Sequence, residues 1–330
     1  MMTNIETTYM GIPLKSPIVV AASSLSNMID RVQRCENSGA GAIVIRSLFE
    51  EQIKLEQAAV GSGARKFDPV HIEQARVYFP LLNEDAARSH LMWVKKTRDV
   101  VQLPIIASLN AATLGTWTLY ASELEHTGIN GLELNVYSIA ASIVKSGAKV
   151  EKELFGIVKA VREEVSIPVS VKLSPFYTSV AHVAHELHEI GINGLVLFNR
   201  FLQPDVNLDG LNLRNEHYFS TSSEMRLPLR WIAILYDRVQ ADLAHSTGVH
   251  SGLDAVKTIL AGAQVVQVAA ALFLNGIEYL EKMNDEIHKW MQEYEFQTLK
   301  DFRGILSQKQ VSDPSPLERA QYVQMLVDEH

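Results

Sequence analysis

The chain has 330 residues, 47% hydrophobic and 21% charged, with a formal net charge of -8, which suits a globular protein with a large core. The acidity argues against a surface that grips nucleic-acid phosphates, and no apolar run reaches membrane-spanning length. The amino terminus lacks a signal-peptide layout and the single cysteine, Cys35, excludes an internal disulfide, so the expected compartment is the cytoplasm.

Met10–Pro17 is turn-rich and predicts a lead-in hairpin closing the bottom of the fold. Ile18–Ala22 reads as the first buried strand, ending on Ser23 and Ser24. A helical pattern over Asp30–Ser38 stops at Gly39, and Cys35 within it reads as a buried structural thiol. Ala42–Ile45 is the second strand, ending on Arg46 and Ser47. Residues 48–84 form an excursion too long for an ordinary connection. A helix from about Glu84 to Val101, a third strand over Ile105–Leu109 ending near Asn110, and a helix over Thr116–His126 follow.

The fourth strand lies in Gly128–Ser138; its apolar run ends on Asn135 and spills into Tyr137 and Ser138. Ser142–Val165 predicts one short and one long helical stretch. The fifth strand, Pro168–Pro175, carries Lys172 near its end. Val180–Ile190 is helical and stopped by Gly191, and the sixth strand, Gly194–Phe198, ends on Asn199 and Arg200. A second excursion over 200–227 is rich in Asn, Asp and Ser. Then come a helix over Pro228–Arg238, a seventh strand over Ala241–Ala244 leading to His245–Gly248, a helix over Leu253–Leu260, and an eighth strand over Val265–Val268. Ala269–Gln292 reads as one or two helices, and a helical tail over 294–330 ends with a helix over Pro316–Val327.

Internal echoes support the count: Gly128-Ile129-Asn130-Gly131-Leu132 recurs as Gly191-Ile192-Asn193-Gly194-Leu195. Eight strands alternating with helices predict one (β/α)8 barrel domain over residues 1–330. A doubly wound open sheet is the alternative, weakened because no GxGxxG follows the first strand. The rim of such a barrel would carry Ser23, Arg46, Asn110, Asn135, Lys172, Asn199 and Thr247. Cations, carboxamides and hydroxyls with few carboxylates suit an anionic or flavin-like ligand, and no metal site is expected. Thr247 and the helix start after the eighth strand occupy the place where barrels commonly hold phosphate, or are ordinary loop and cap residues. Lys172 either pairs with Glu133 or stabilises negative charge on a bound ring. Ser138 is either a helix cap or a catalytic group.

Ala22-Ser23-Ser24, Arg46-Ser47, Glu133–Ser138, Val171-Lys172-Leu173, Phe198-Asn199 and Thr247–Ala255, in this order, resemble the dihydroorotate dehydrogenases, the soluble class 1 enzymes most closely. The resemblance spans about residues 8 to 300 and implies FMN at the top of the barrel, oxidation of dihydroorotate to orotate in pyrimidine biosynthesis, and a homodimer. It implies that Ala22, Ser23, Arg46, Ser47, Asn135, Lys172, Ser222, Ser223, Thr247, Gly248, Ala269 and Ala270 hold the cofactor. Asn135, Asn199 and Arg200 would meet the substrate, Lys172 would favour the anionic reduced flavin, and Ser138 would be the base. Several family positions differ: the Pro-Asn after the base is Ile139-Ala140, the asparagine expected in the first excursion is replaced around Pro80-Leu81-Leu82, and a Gly-Thr pair is Ala269-Ala270. Two further readings stand beside this one. One is a catalytically impaired flavin-binding relative acting as a regulatory subunit; the other is a phosphate-binding lyase or aldolase using Lys172.

Overall fold

The computed structural model describes residues 3–49, 86–110, 114–136, 139–201, 203–214 and 219–318. Its first element is a hairpin, β1 (Thr7–Tyr9) and β2 (Ile12–Leu14), turned by Met10 and Gly11 at φ 55° and 76°. Two positive φ values in a two-residue loop match the twist of the flanking strands. The barrel strands are β3 (Ile18–Val20), β4 (Ala42–Phe49), β5 (Ile105–Asn110), β6 (Gly131–Asn135), β7 (Val169–Leu173) and β8 (Gly194–Leu197). After a short ribbon of β9 (Asp205–Asn207) and β10 (Asn212–Arg214), β11 (Asp242–Ser246) and β12 (Val265–Val268) complete them. All eight pair in parallel and close in the order β11-β12-β3-β4-β5-β6-β7-β8, so the sheet is the expected (β/α)8 barrel. The helices are α1 (Ile29–Asn37), α2 (Ala86–Val100), α3 (Leu114–Glu125), α4 (Gly147–Glu164), α5 (Val180–Ile190), α6 (Arg226–Leu235), α7 (Gly252–Ala261), α8 (Ala270–Asn275) and α9 (Tyr279–Glu293).

The repeated Gly-Ile-Asn-Gly-Leu segments explain how the barrel floor is built. Gly128 and Gly191, at φ 82° and 91°, make the left-handed turn that ends the preceding helix. Asn130 and Asn193 then accept the amides of Ile105 and Val169, each at 2.9 Å, at the mouths of β5 and β7. The second glycine of each repeat makes room for the hairpin. A Cβ on Gly131 would stand 3.1 Å from Met10 Cε, and one on Gly194 would stand 2.9 Å from the Tyr9 hydroxyl. Tyr9, Met10, Ile12 and Leu14 thereby reach the lower barrel and pack with Val19, Val44, Ile106, Val196 and Val265. The hairpin is the plug that the turn-rich lead-in predicts.

Local departures have local causes. In β4, Ile45 pairs with Ala107 but Leu48 pairs with Leu109, leaving one extra residue as a bulge. The strand runs on to Phe49, well past the predicted Ile45. The short helix predicted from Ser142 does not form, because the Ser146 side chain caps α4 at its true start by accepting the Lys149 amide. β11 extends to Ser246, so His245 belongs to the strand and not to the following loop. Over 294–318 the predicted helical tail consists of turns and two 3-10 segments. The amides of Gly304 and Leu306 are spent on the carbonyls of Ile259 and Leu260 at the end of α7. The Gln308 amide reaches Ala233, so the chain is held against two helix ends. The rest of the predicted final helix lies outside the described residues.

Two histidines are buried where charge is unwelcome. His90 donates through Nε2 to the Arg46 carbonyl at 2.8 Å, and His245 to the Thr247 carbonyl at 2.9 Å. Both Nδ1 atoms are buried without a partner among the described residues. Burial pushes each imidazole down to about 4, against the opposing pull of its backbone hydrogen bond. In the unfolded chain each takes up a proton near pH 6.5, while the folded protein resists until about 4. Stability is therefore full above about pH 7 and falls as pH drops through this window. Between pH 6.5 and 5 the loss should be roughly 2 kcal/mol per histidine. Urea unfolding across this range should show that slope flattened in His90→Gln/His245→Asn; an equal slope in both proteins would contradict the assignment.

Candidate active site

A pocket of about 230 Å³ opens at the carboxyl ends of β3, β7, β8, β11 and β12. Alternation along β7 turns Lys172 inward, and the same alternation on β6 and β12 turns Glu133 and Gln267 toward it. Lys172 Nζ donates to Gln267 Oε1 at 3.1 Å, and Gln267 Nε2 donates to Glu133 Oε2. Glu133 Oε1 lies 3.9 Å from the ammonium, close enough to balance its charge but without a hydrogen bond. Lys172 is 8% exposed and Glu133 1%, so the pocket floor is a buried, nearly neutral polar triangle.

One wall is the turn after β11. Thr247 and Gly248 both take positive φ, 84° and 82°. A Cβ on Gly248 would come within 2.5 Å of the Met225 amide nitrogen, so a side chain there has neither a suitable φ nor space. Thr247 is held in its disfavoured conformation with its hydroxyl donating to the Phe198 carbonyl at 3.2 Å. Opposite, Ala269 leads into α8, its carbonyl accepting the Leu272 and Phe273 amides while those of Ala270 and Ala271 stand at the helix start. Asn199 donates from Nδ2 to Asn135 Oδ1 at 3.0 Å, joining the ends of β8 and β6. Phe219 and Phe273 stack at 5.5 Å along the rim.

Ala22, Lys172, Asn199, Arg200, Thr247, Gly248, Ala269 and Ala270 line this pocket together. Asn135 stands one hydrogen bond behind Asn199. Five other predicted cofactor residues are placed elsewhere. Ser23 caps the 3-10 turn Ser24–Asn27. The β4 bulge sends Ser47 to Ser108 at 2.8 Å, while the Arg46 backbone is fixed between Ser26 and His90. Neither lines the pocket. Ser222 and Ser223 line a separate depression with Leu229, Asp254 and Lys257, because a capping box between Thr221 and Glu224 sets the turn that carries them. Arg200, expected to meet a substrate carboxylate, is bound by Glu224 through Nε at 2.8 Å. Burial alone would raise the Glu224 carboxyl, but the Arg200 hydrogen bond, the Thr221 amide and the Arg200 charge lower it overall. Ser138 and Leu81 lie outside the described residues.

Gln267, Ser220, Phe219 and Phe273 line the pocket without having been singled out in the sequence. Gln267 had a signal: it is the one polar residue in the run Val265–Val268, at an inward position. The two phenylalanines had none.

Comparison with known proteins agrees with this geometry. A family profile described as dihydroorotate dehydrogenase matches residues 82–291. The chain is 26% identical over 312 residues to the dihydroorotate dehydrogenase B (NAD(+)) catalytic subunit of Methanothermobacter thermautotrophicus, covering 91% of this chain and 98% of that protein. It is 24% identical over 313 residues to the Methanocaldococcus jannaschii protein of the same name, covering 91% and 97%. A third protein of that name, from Alkaliphilus metalliredigens, is 24% identical over 319 residues, covering 92% and 99%.

Proposed function

The chain belongs to the dihydroorotate dehydrogenase family, and from that premise we propose that it binds FMN and oxidises dihydroorotate, or a related cyclic substrate, to the corresponding unsaturated ring. The observation that carries the reading is the Lys172 ammonium, buried at the pocket floor below the Thr247-Gly248 turn. Three features fit FMN. A cation with a spare donor suits the electron-rich edge of a flavin ring. A left-handed turn and the Ala270 and Ala271 amides at the start of α8 suit a phosphate. Ala22 and Val268 offer an apolar side to a flat ring.

When bound, FMN supplies a two-electron acceptor beside the substrate. The chain's own groups do the rest. Lys172 holds positive charge in place, fixed by Gln267 and Glu133. Asn199, oriented by Asn135, presents an amide to the substrate's polar edge. Ser138 is the proposed base for the substrate's C5 proton, a role that rests on the resemblance alone. The lyase reading loses its support with the family assignment. The visible spectrum of the purified protein tests the proposal. Flavin absorbance that bleaches anaerobically with a dihydropyrimidine acid is expected, and a colourless protein that takes up no added FMN would end it.

We extend the reading to a homodimer in the cytoplasm. The β9–β10 ribbon exposes Val206, Leu208, Leu211 and Leu213, with Leu211 at 87%, a hydrophobic patch suited to a second copy. A sedimentation mass of one chain would overturn the dimer. Among the described residues no helix is long and apolar enough to cross a membrane. Burial pushes the unbonded Cys35 thiol up to about 11 despite the nearby Arg34 charge, in keeping with an inert structural cysteine.

A further inference from the structure

Beside the Thr247-Gly248 turn, one hydroxyl on the pocket wall is gripped from behind. Ser220 lines the pocket; its Oγ accepts the Gly248 amide at 3.4 Å and lies 3.3 Å from His250 Nε2. His250 does not line the pocket. Its backbone is pinned, the amide donating to Asp254 Oδ2 at 3.1 Å. A serine oxygen has two acceptor positions and one proton. The Gly248 amide can only donate, so it fills one of them. If His250 carries its proton on Nε2, the ring fills the other, and the Ser220 proton has nowhere to point except away from both, toward the cavity. An anion in the pocket favours that arrangement, because it wants a donor and because hydrogen bonds to charged groups are the stronger kind. The opposite tautomer, with Ser220 donating to Nε2, presents only a lone pair to the anion.

We propose that Ser220 is a side-chain anchor for a phosphate monoester and that His250 is its positioning residue, fixing the direction of the Ser220 proton. On the flavin reading above, on which this rests, the monoester is that of FMN. The wall residues around it offer few side-chain donors: Gly248, Val249, Ala269 and Ala270 bring backbone amides only. A hydroxyl with an imposed donor direction supplies what those side chains lack.

The test compares FMN with riboflavin, which shares the ring but has no phosphate. Dissociation constants of both are measured by flavin fluorescence with stripped full-length protein. Ser220→Ala should lower the preference for FMN about ten- to hundredfold, the worth of one hydrogen bond to a charged group, while leaving riboflavin affinity unchanged. Ser220→Thr should keep the preference. His250→Phe should lose most of it, and His250→Gln, which can still donate, should retain it. The His250 Nε2 nitrogen resonance should move to the protonated, donor position when FMN or inorganic phosphate is added. Unchanged preference in Ser220→Ala and His250→Phe would overturn the anchor, as would an equal loss for both flavins. If neither flavin binds the wild type, the flavin reading falls separately and inorganic phosphate decides: binding weakened by Ser220→Ala supports the anchor, and binding equal in both proteins, or absent from both, overturns it.

Discussion

Lys172→Ala should destabilise the protein by about 3–5 kcal/mol at neutral pH, the usual consequence of leaving one member of a buried ion pair alone. The member left behind is Glu133, 1% exposed, whose Oε2 still accepts from Gln267 but whose charge then has no ion-pair partner among the described residues. The same change should weaken FMN binding and lower the flavin midpoint potential by on the order of 30 mV, about 1.4 kcal/mol for a two-electron couple. These two effects have different origins and can be separated. In Lys172→Met/Glu133→Gln no charge is buried, so stability should return to within about 1 kcal/mol of the wild type, while the potential stays low. Urea unfolding and a redox titration, run on all three proteins, give both numbers. A potential restored together with stability would reduce Lys172 to a structural partner of Glu133. An unchanged stability in Lys172→Ala would show that water reaches Glu133 and that the floor is not dry.

Both roles of Lys172 were visible in the sequence as alternatives, and the structure makes them compatible. An inward lysine near the end of an apolar strand needs a partner, and Glu133 stands on the neighbouring strand, in register with Ser170 two residues before Lys172. Strand positions were legible for the same reason: a strand buried on both faces is a short apolar run bounded by glycine, asparagine or proline. The repeat at Gly128 and Gly191 was legible as a pattern. Its meaning was not, since nothing local says that Gly131 and Gly194 leave room for Met10 and Tyr9. Predicted site residues stand away from the expected contacts where chain geometry changes phase. The bulge in β4 turns Ser47 toward Ser108, and a bulge inserts one residue without changing the composition of the strand. The Arg200–Glu224 pair joins a strand end to a 3-10 turn inside an excursion, a contact that neither periodicity nor spacing encodes. Ser222 and Ser223 stand apart from the pocket lining for a similar reason: Glu224 closes a capping box with Thr221, and Ser220, just before it, is the serine that reaches the pocket.

Substrate handling is where this chain should depart most from its family. Ser138→Ala should slow flavin bleaching by dihydroorotate at least about a hundredfold with FMN still bound, the lower range for a positioned acid–base group. The wild type itself should bind dihydroorotate weakly. Ile139 and Ala140 stand where the resemblance expects Pro-Asn; both are exposed, Ile139 at 68%, and both line a separate cleft with Phe176 and Tyr177. An alanine has no side-chain amide to offer at that edge. At the second position, Pro80, Leu81 and Leu82 carry no side-chain amide, but Asn83 follows directly. An unmade hydrogen bond to a polar edge costs about 1–3 kcal/mol, so the loss at Ala140 would weaken binding by roughly five- to 150-fold. Arg200 is the cation beside Asn199 that could recover part of this by meeting the substrate carboxylate, but Glu224 already holds it through Nε and Nη2 at 2.8 and 3.4 Å. To serve the substrate, it must exchange one carboxylate for another, and such an exchange gains little. Anaerobic stopped-flow mixing with dihydroorotate separates the two claims: saturation at micromolar substrate would refute the impaired pocket, and equal bleaching rates for wild type and Ser138→Ala would remove Ser138 from the chemistry.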